Sequence, residues 1–184
     1  MSPRLRTLLV RASWFVTSSV LGGGCDLGTK AWAERSLADQ AGHSATVLEP
    51  WLELSLTYNR GTAFSFIPDL GDMRWLFGVM AFVVVGLVAL MALRKDVDRR
   101  DRIALGAIAG GAIGNGVDRL VGEPPGVVDF VKVYLPGGGA WPTFNVADVL
   151  IGVGAAWILG RQLFSKPPPD PEDGTPDDAA IEAA

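Results

Sequence analysis

The sequence predicts an all-α membrane protein with four transmembrane helices, a small outward-facing β-structure and both termini in the cytoplasm. Three observations predict it. Almost half of the 184 residues (49%) are apolar, yet they gather in long runs. Charges collect in the N-terminal dozen residues, around positions 94–102 and beyond Lys166, whereas a soluble domain interleaves charged and apolar residues. Basic residues flank the runs in a pattern that is consistent only if all four cross the bilayer.

A spanning helix needs about 20 mostly apolar residues. The first candidate runs from about Ser13 to Ala33, with Asp26 and Lys30 at a polar end. The second, Trp75 to Leu93, carries no charge. The third, Ile103 to about Leu120, is rich in Gly and Ala and ends with Asn115, Asp118 and Arg119. The fourth, about Asn145 to Phe164, has Asp148 in its first turn. Arg4, Arg6 and Arg11 precede the first span. Arg94, Lys95, Arg99, Arg100 and Arg102 fill the connection between the second and third, and Arg161 and Lys166 follow the fourth. The positive-inside rule puts all of them in the cytoplasm. The remaining connections, about 34–74 and 121–144, then face outward. Within them, Val47–Tyr58 and Gly126–Tyr134 are rich in β-branched and aromatic residues and predict short strands of one small sheet. Trp51, Trp75, Trp141 and Tyr134 fall at interface depth, as membrane anchors do.

The four-helix domain therefore occupies residues 1–166. Residues 167–184 form a Pro-rich acidic tail, with Asp170, Glu172, Asp173, Asp177, Asp178 and Glu182 in the last fifteen positions. Too few large apolar groups are present for it to fold. The tail supplies the net charge of −4; the rest of the chain is slightly basic. No nucleic-acid patch is present, because the basic residues flank apolar spans. One cysteine, Cys25, excludes an intramolecular disulfide, and one histidine, His43, excludes the usual His-rich zinc sites.

Ionisable groups within spans are costly, about 2.5–3.5 kcal/mol each on insertion scales, and so are functional candidates. Here they gather at the outward ends of three helices. Asp26 and Lys30 are four apart and share a helix face, as do Asn115 and Arg119; Asn145 and Asp148 are three apart. Each pair alone fits a structural bridge or a favourable helix-terminal charge. Their convergence on one membrane face favours a site. Asp129, from the strand-like stretch between the third and fourth helices, joins them.

Four motifs follow one another along these spans: Asp26-Leu27-Gly28-Thr29-Lys30; Asn59-Arg60-Gly61-Thr62-Ala63-Phe64-Ser65; Gly110 to Arg119 followed by Val127-Val128-Asp129-Phe130; and Phe144-Asn145-Val146-Ala147-Asp148. As an ordered set, spread from about Asp26 to Gly160, they closely resemble the lipoprotein signal peptidases, or type II signal peptidases. The resemblance implies that Asp129 and Asp148 are the catalytic aspartates. It makes Asn59, Gly61, Asn115, Asp118, Arg119, Asn145, Asp26 and Lys30 supporting or substrate-contacting residues. It also implies that the substrates are prolipoproteins bearing a diacylglyceryl-cysteine, cut just before that cysteine. The site then faces the outer side of a bacterial inner membrane, beside membrane lipid. No metal or organic cofactor is implied, and the chain is expected to act as a monomer. Leu27 stands where the family usually has glutamine, and the connection containing Glu123-Pro124-Pro125 is slightly longer than usual.

The chemistry of the residues agrees with the resemblance. Two adjacent carboxyls do not readily both ionise, so one holds a proton while the other deprotonates an attacking water. Asp148 at a helix N-terminus favours the charged form. Asn115 and Asn145 are donors for an aspartate or for substrate, Arg119 is a clamp for Asp118 or a lipid headgroup, and Gly106, Gly110, Gly111 and Gly114 allow close helix approach. Phe64 and Phe66 suggest a lid. Two other readings compete. Leu21-Gly22-Gly23-Gly24-Cys25 imitates a lipoprotein cleavage signal, but cutting there leaves an odd number of crossings. An ion site of a small transporter explains buried acids but not their clustering at the outward ends.

Overall fold

The computed structural model describes residues 1–60 and 74–164. Gly61, Phe64, Phe66 and the tail 167–184 lie outside the described residues. Four helices, α1 (Pro3–Leu37), α2 (Arg74–Ala92), α3 (Arg99–Val121) and α4 (Val146–Phe164), are joined with a sheet of β1 (Ser44–Leu48), β2 (Leu52–Asn59), β3 (Val127–Leu135) and β4 (Gly139–Ala140). The helices coincide with the four predicted runs. The main difference is α1, which continues for 35 residues, about 52 Å at 1.5 Å per residue. Ser2 starts it by accepting from the Leu5 N–H, and Pro3 occupies a first-turn position that needs no N–H donor.

The strands follow chain order β1-β2-β3-β4 and every pair is antiparallel. The predicted stretch Val47–Tyr58 is a hairpin, its strands separated by the Glu49-Pro50-Trp51 turn. In the β2–β3 pair Thr57 stands opposite Asp129 and Tyr58 opposite Val128. The brief β4 had no sequence signal beyond its glycines. Beyond it, Phe144 bridges to β3: its N–H donates to the Val131 carbonyl at 3.0 Å, and its own carbonyl accepts from Phe130 and Val131. That bridge ties the start of α4 to the strand carrying Asp129.

Helix α3 packs against each of the other helices, and its glycines explain how. A Cβ on Gly110 would stand 2.7 Å from the Ser19 carbonyl oxygen of α1, and one on Gly111 would stand 2.6 Å from that of Ala147 on α4. Only the absence of side chains permits such backbone approach. At one end, Val88, Ala92, Leu105 and Ala109 form an apolar cluster with Phe15 and Ile158. The same end holds Arg99 over the Trp14 ring at 4.8 Å, the Arg161–Asp98 ion pair, and buried Arg102, which donates to the carbonyls of Ala92 and Arg94 at 2.9 Å and closes the end of α2. At the other end Ala33, Leu37 and Phe130 form a second cluster beneath the sheet, with Leu54, Val131 and Val146.

The distribution of polarity is inverted relative to a soluble domain. Asp26, Lys30, Arg102, Asn115, Asp118, Asp129 and Asn145 are buried, while Phe77, Val79, Met80, Val83, Leu87, Leu90, Val153, Leu159 and Leu163 stand exposed. Among the described residues, α2 and α4 are long and apolar enough to cross a membrane. Helices α1 and α3 carry polar and glycine residues on their buried faces, Asp26 and Lys30 on α1 and Gly110, Asn115 and Asp118 on α3 among them.

Candidate active site

The site lies at the sheet end, where the C-terminal parts of α1 and α3 meet the start of α4. Asn145 organises it. Its side chain and Asp148 cap α4 reciprocally: the Asp148 N–H donates to Asn145 Oδ1 at 3.0 Å, and the Asn145 N–H donates to Asp148 Oδ2 at 3.1 Å. This satisfies a first-turn amide that the helix itself leaves unpaired. The Asn145 Nδ2 group donates to Asp129 Oδ1 at 2.7 Å, and also approaches Asn115 Oδ1 at 3.1 Å and the Val128 carbonyl at 3.2 Å. Asn115 Nδ2 in turn donates to Asp148 Oδ1 at 2.9 Å. The two carboxyls are thus joined through two fully engaged amides, one from α3 and one from the cap of α4.

Their environments differ. Asp129 is 3% exposed and accepts at Oδ2 from Asn59 Nδ2 at 3.1 Å. Burial, together with the nearby Asp148 charge, raises its pKa to about 6, against the opposing hydrogen bonds from Asn59 and Asn145 and the more distant Lys30 charge. Asp148 is exposed and accepts at Oδ1 from Asn115 Nδ2 of α3 and at Oδ2 from the Asn145 N–H at the start of α4.

Behind the pair is a buried ionic group. Lys30 Nζ lies 2.7 Å from Asp26 Oδ2 and 2.8 Å from Asp118 Oδ2, and donates to Asn115 Oδ1 at 2.8 Å. The Asp26 contact is close in distance but not aligned as a hydrogen bond, so Oδ2 has no directed donor. Asp26 Oδ1 accepts from the Ala147 N–H at 2.8 Å, a second capping bond at the start of α4. Asp118 accepts from the Val128 N–H at 3.2 Å and so holds β3 against α3. The expected Asp26–Lys30 pair is present. The Arg119–Asp118 clamp is not the bond that forms: Asp118 pairs with Lys30, and Arg119 donates to the Asn115 carbonyl of its own helix at 3.1 Å. The reason is direction, since adjacent helical residues point about 100° apart and cannot both face the same partner. Arg119 remains within electrostatic reach of Asp129 and Asp148.

Three contributors are not among the candidate site residues of the sequence. Gly114 leaves the space that the Asp26 carboxyl fills; a Cβ there would collide with it. Thr57 donates to the Asp129 carbonyl at 3.2 Å and to Thr143 at 3.1 Å, which the strand register could have suggested. Tyr58 donates to Glu34 at 3.2 Å and fastens β2 to α1. Leu27, at the position of the family's usual glutamine, is half-buried on α1. Among the described residues no cluster of His, Cys, Asp and Glu is arranged to hold a metal ion.

The match to a family model decides what this constellation belongs to: residues 19–164 match the model of signal peptidase (SPase) II. The chain belongs to the signal peptidase II family. The lipoprotein signal peptidase of Xanthomonas oryzae is 37% identical over 155 residues, covering 83% of this chain and 90% of that protein. That of Hydrogenovibrio crunogenus is 35% identical over 169 residues, covering 89% and 91%. The lipoprotein signal peptidase of Aeromonas hydrophila is 42% identical over 121 residues, covering 64% and 70%. A bacterial membrane enzyme solved by the in meso method at 1.9 Å resolution shares the fold, with a TM-score of 0.67 at 24% identity over 83% of this chain and 94% of that one. The signal peptidase II family is one of aspartic-type endopeptidases.

Proposed function

We propose that the chain is a membrane aspartic endopeptidase that removes signal peptides from prolipoproteins, cutting before a cysteine that carries diacylglycerol. The observation that carries this reading is the asymmetric acid pair: buried Asp129 and exposed Asp148, linked through Asn145 and Asn115.

In the proposed reaction Asp148 is the carboxylate that takes a proton from water. Asp129 holds the shared proton, donates a hydrogen bond to the scissile carbonyl oxygen and then protonates the leaving amine. The pair titrates as a unit, and the active form carries one proton. Asn145 and Asn59 orient Asp129, Asn115 orients Asp148, and Asp26, Lys30 and Asp118 fix the three elements that carry them. Arg119 offers positive charge to substrate or headgroup. Asn59 leads into the segment containing Gly61, which is proposed to complete the substrate-contacting surface.

All four helices are proposed to span, with both termini cytoplasmic and the sheet on the outer face of a bacterial inner membrane. Two features support this. Arg99, Arg100, Arg102 and Arg161 share the end opposite the acid pair, and the exposed surface of the helices is apolar. A site at the outer helix ends suits a substrate whose lipid tail stays in the bilayer while its peptide lies at the surface. Residues 1–166 are the proposed peptidase domain and 167–184 an appendage.

The test is substrate discrimination. Purified protein in detergent is given one prolipoprotein with and without its diacylglyceryl group, and signal-peptide release is followed on a gel. Release from the modified precursor alone supports the reading. Equal release from both removes the lipid from recognition, and release from neither, with substrate validated on a known peptidase, removes the activity.

A further inference from the structure

At the end of the molecule opposite the acid pair, an open groove of about 320 Å³ runs between α3 and α4. Arg100, Ile103, Ala104 and Ala107 line it from α3, at the spacing of one helix face, and Val153, Gly154 and Trp157 line it from α4. Apart from Arg100 and the indole edge, the wall is hydrocarbon. Its volume lies at the low end of the roughly 300–1,000 Å³ of small-ligand sites. The groove is shaped by small residues: a Cβ on Gly154 would stand 2.8 Å from the Ala104 carbonyl, so the two helices touch there and the cleft opens beside the contact. Trp157 is a fixed wall, because its indole N–H donates to Asp101 at 3.0 Å.

Charge at the mouth is unusual in one respect. Arg99, Arg100 and Arg102 occupy the first turn of α3, where the helix dipole disfavours cations. Arg102 is engaged by the carbonyls ending α2, Arg99 by the Trp14 ring, and Arg161 by Asp98 and Asp101. Arg100 is exposed, and its guanidinium has no hydrogen bond or ion pair among the described residues, while its backbone N–H is held by Asp98. The start of α3 is already capped by Asp98, so an anion seated beside Arg100 would meet its guanidinium.

We propose that this groove is a binding site for an anionic phospholipid of the cytoplasmic leaflet, its acyl chain along Ile103, Ala107 and Val153 and its phosphate at Arg100. The inference rests on the four-span reading, which places this end at the cytoplasmic surface. It is independent of catalysis. Basic pockets between spanning helices on that side commonly take anionic headgroups, and a hydrocarbon slot beneath one selects a lipid over a soluble anion.

The full chain in detergent, without substrate, is tested by native mass spectrometry with phosphatidylglycerol or phosphatidylcholine of identical acyl chains. The wild type is expected to retain phosphatidylglycerol several-fold more than phosphatidylcholine. Arg100→Gln, at an exposed position, should bring retention down to the phosphatidylcholine level, while Lys95→Gln leaves the preference as it is. Ala107→Phe should lower retention of both lipids by filling the slot, and Val153→Trp, at a more exposed position, should do the same. Equal retention of the two lipids by the wild type overturns the proposal. So does an undiminished preference in Arg100→Gln, or an equal loss in Lys95→Gln, which would mean diffuse surface charge. Lipid retention is read without cleavage, so failure here and failure of the peptidase reading are separate results.

Discussion

Asn59→Ala is the perturbation that reads the acid pair through the bond from Asn59 to Asp129. Asn59 Nδ2 donates to Asp129 Oδ2 at 3.1 Å and favours the charged form of a carboxyl that burial pushes up to about 6. A hydrogen bond to a charged group contributes about 1.5–3 kcal/mol. At about 1.36 kcal/mol per pKa unit, losing it raises Asp129 by about 1–2 units. Asn59 is half-buried, so water replaces part of the bond and the lower end applies, a rise of about one unit. The sign follows from the role. Asp129 acts while protonated, so kcat/KM falls as pH rises through its pKa, and raising that pKa moves the falling limb to higher pH. The assay is signal-peptide release at low substrate across pH 4–9 (roughly the stability range of a folded domain), because kcat/KM reports the free enzyme. The limb should move up by about one unit while the maximum drops. A limb that stays in place, or moves down, would refute the assignment of the proton to Asp129.

Three further outcomes are expected. Gly114→Ala should destabilise the protein by about 1–3 kcal/mol through overpacking against Asp26, whereas Gly152→Ala, with open space around it, should leave the melting temperature unchanged. Lys30→Met strands the buried Asp26 and Asp118 carboxyls, so a loss of about 3–5 kcal/mol and poor recovery of folded protein are expected; a Tm within a degree or two of wild type would show the ionic group to be dispensable for folding. Truncation after residue 166 should leave cleavage at the wild-type rate, and a large loss would make the acidic tail part of the enzyme.

The helices were legible because their cause is local. A run such as Trp75–Leu93 forms a helix in any apolar solvent, and α2 spans nearly those residues. Strand pairing was legible in part: β-branched composition marked β2 and β3, but β4 has only two residues, paired with Tyr134 and Leu135, too few for a composition signal. Among the candidate site residues, i to i+4 spacing foretold Asp26 with Lys30. It did not foretell Asp118 with Lys30, 88 positions apart in sequence and joined only by how closely α1 and α3 approach. The same glycines that permit that approach looked like packing residues, and only the structure shows that Gly114 makes the space for a carboxyl. Of the two partners the sequence offers Arg119, Asp118 or a lipid headgroup, Asp118 is not taken, because helix geometry sends adjacent side chains to different faces. The Asn145–Asp148 pair was visible as spacing, and its reciprocal capping follows from a first-turn acid three residues after an N-cap asparagine.

The most direct test of the central claim replaces each aspartate with its isostere. Asp129→Asn and Asp148→Asn are purified in detergent beside the wild type and given a diacylglyceryl-modified prolipoprotein, with the melting temperature of each variant measured in parallel. Release of the signal peptide by the wild type, and none by either folded variant, is the result predicted for a pair that shares one proton. Release by a folded variant lacking either carboxyl would contradict the dyad and require another group to activate the water.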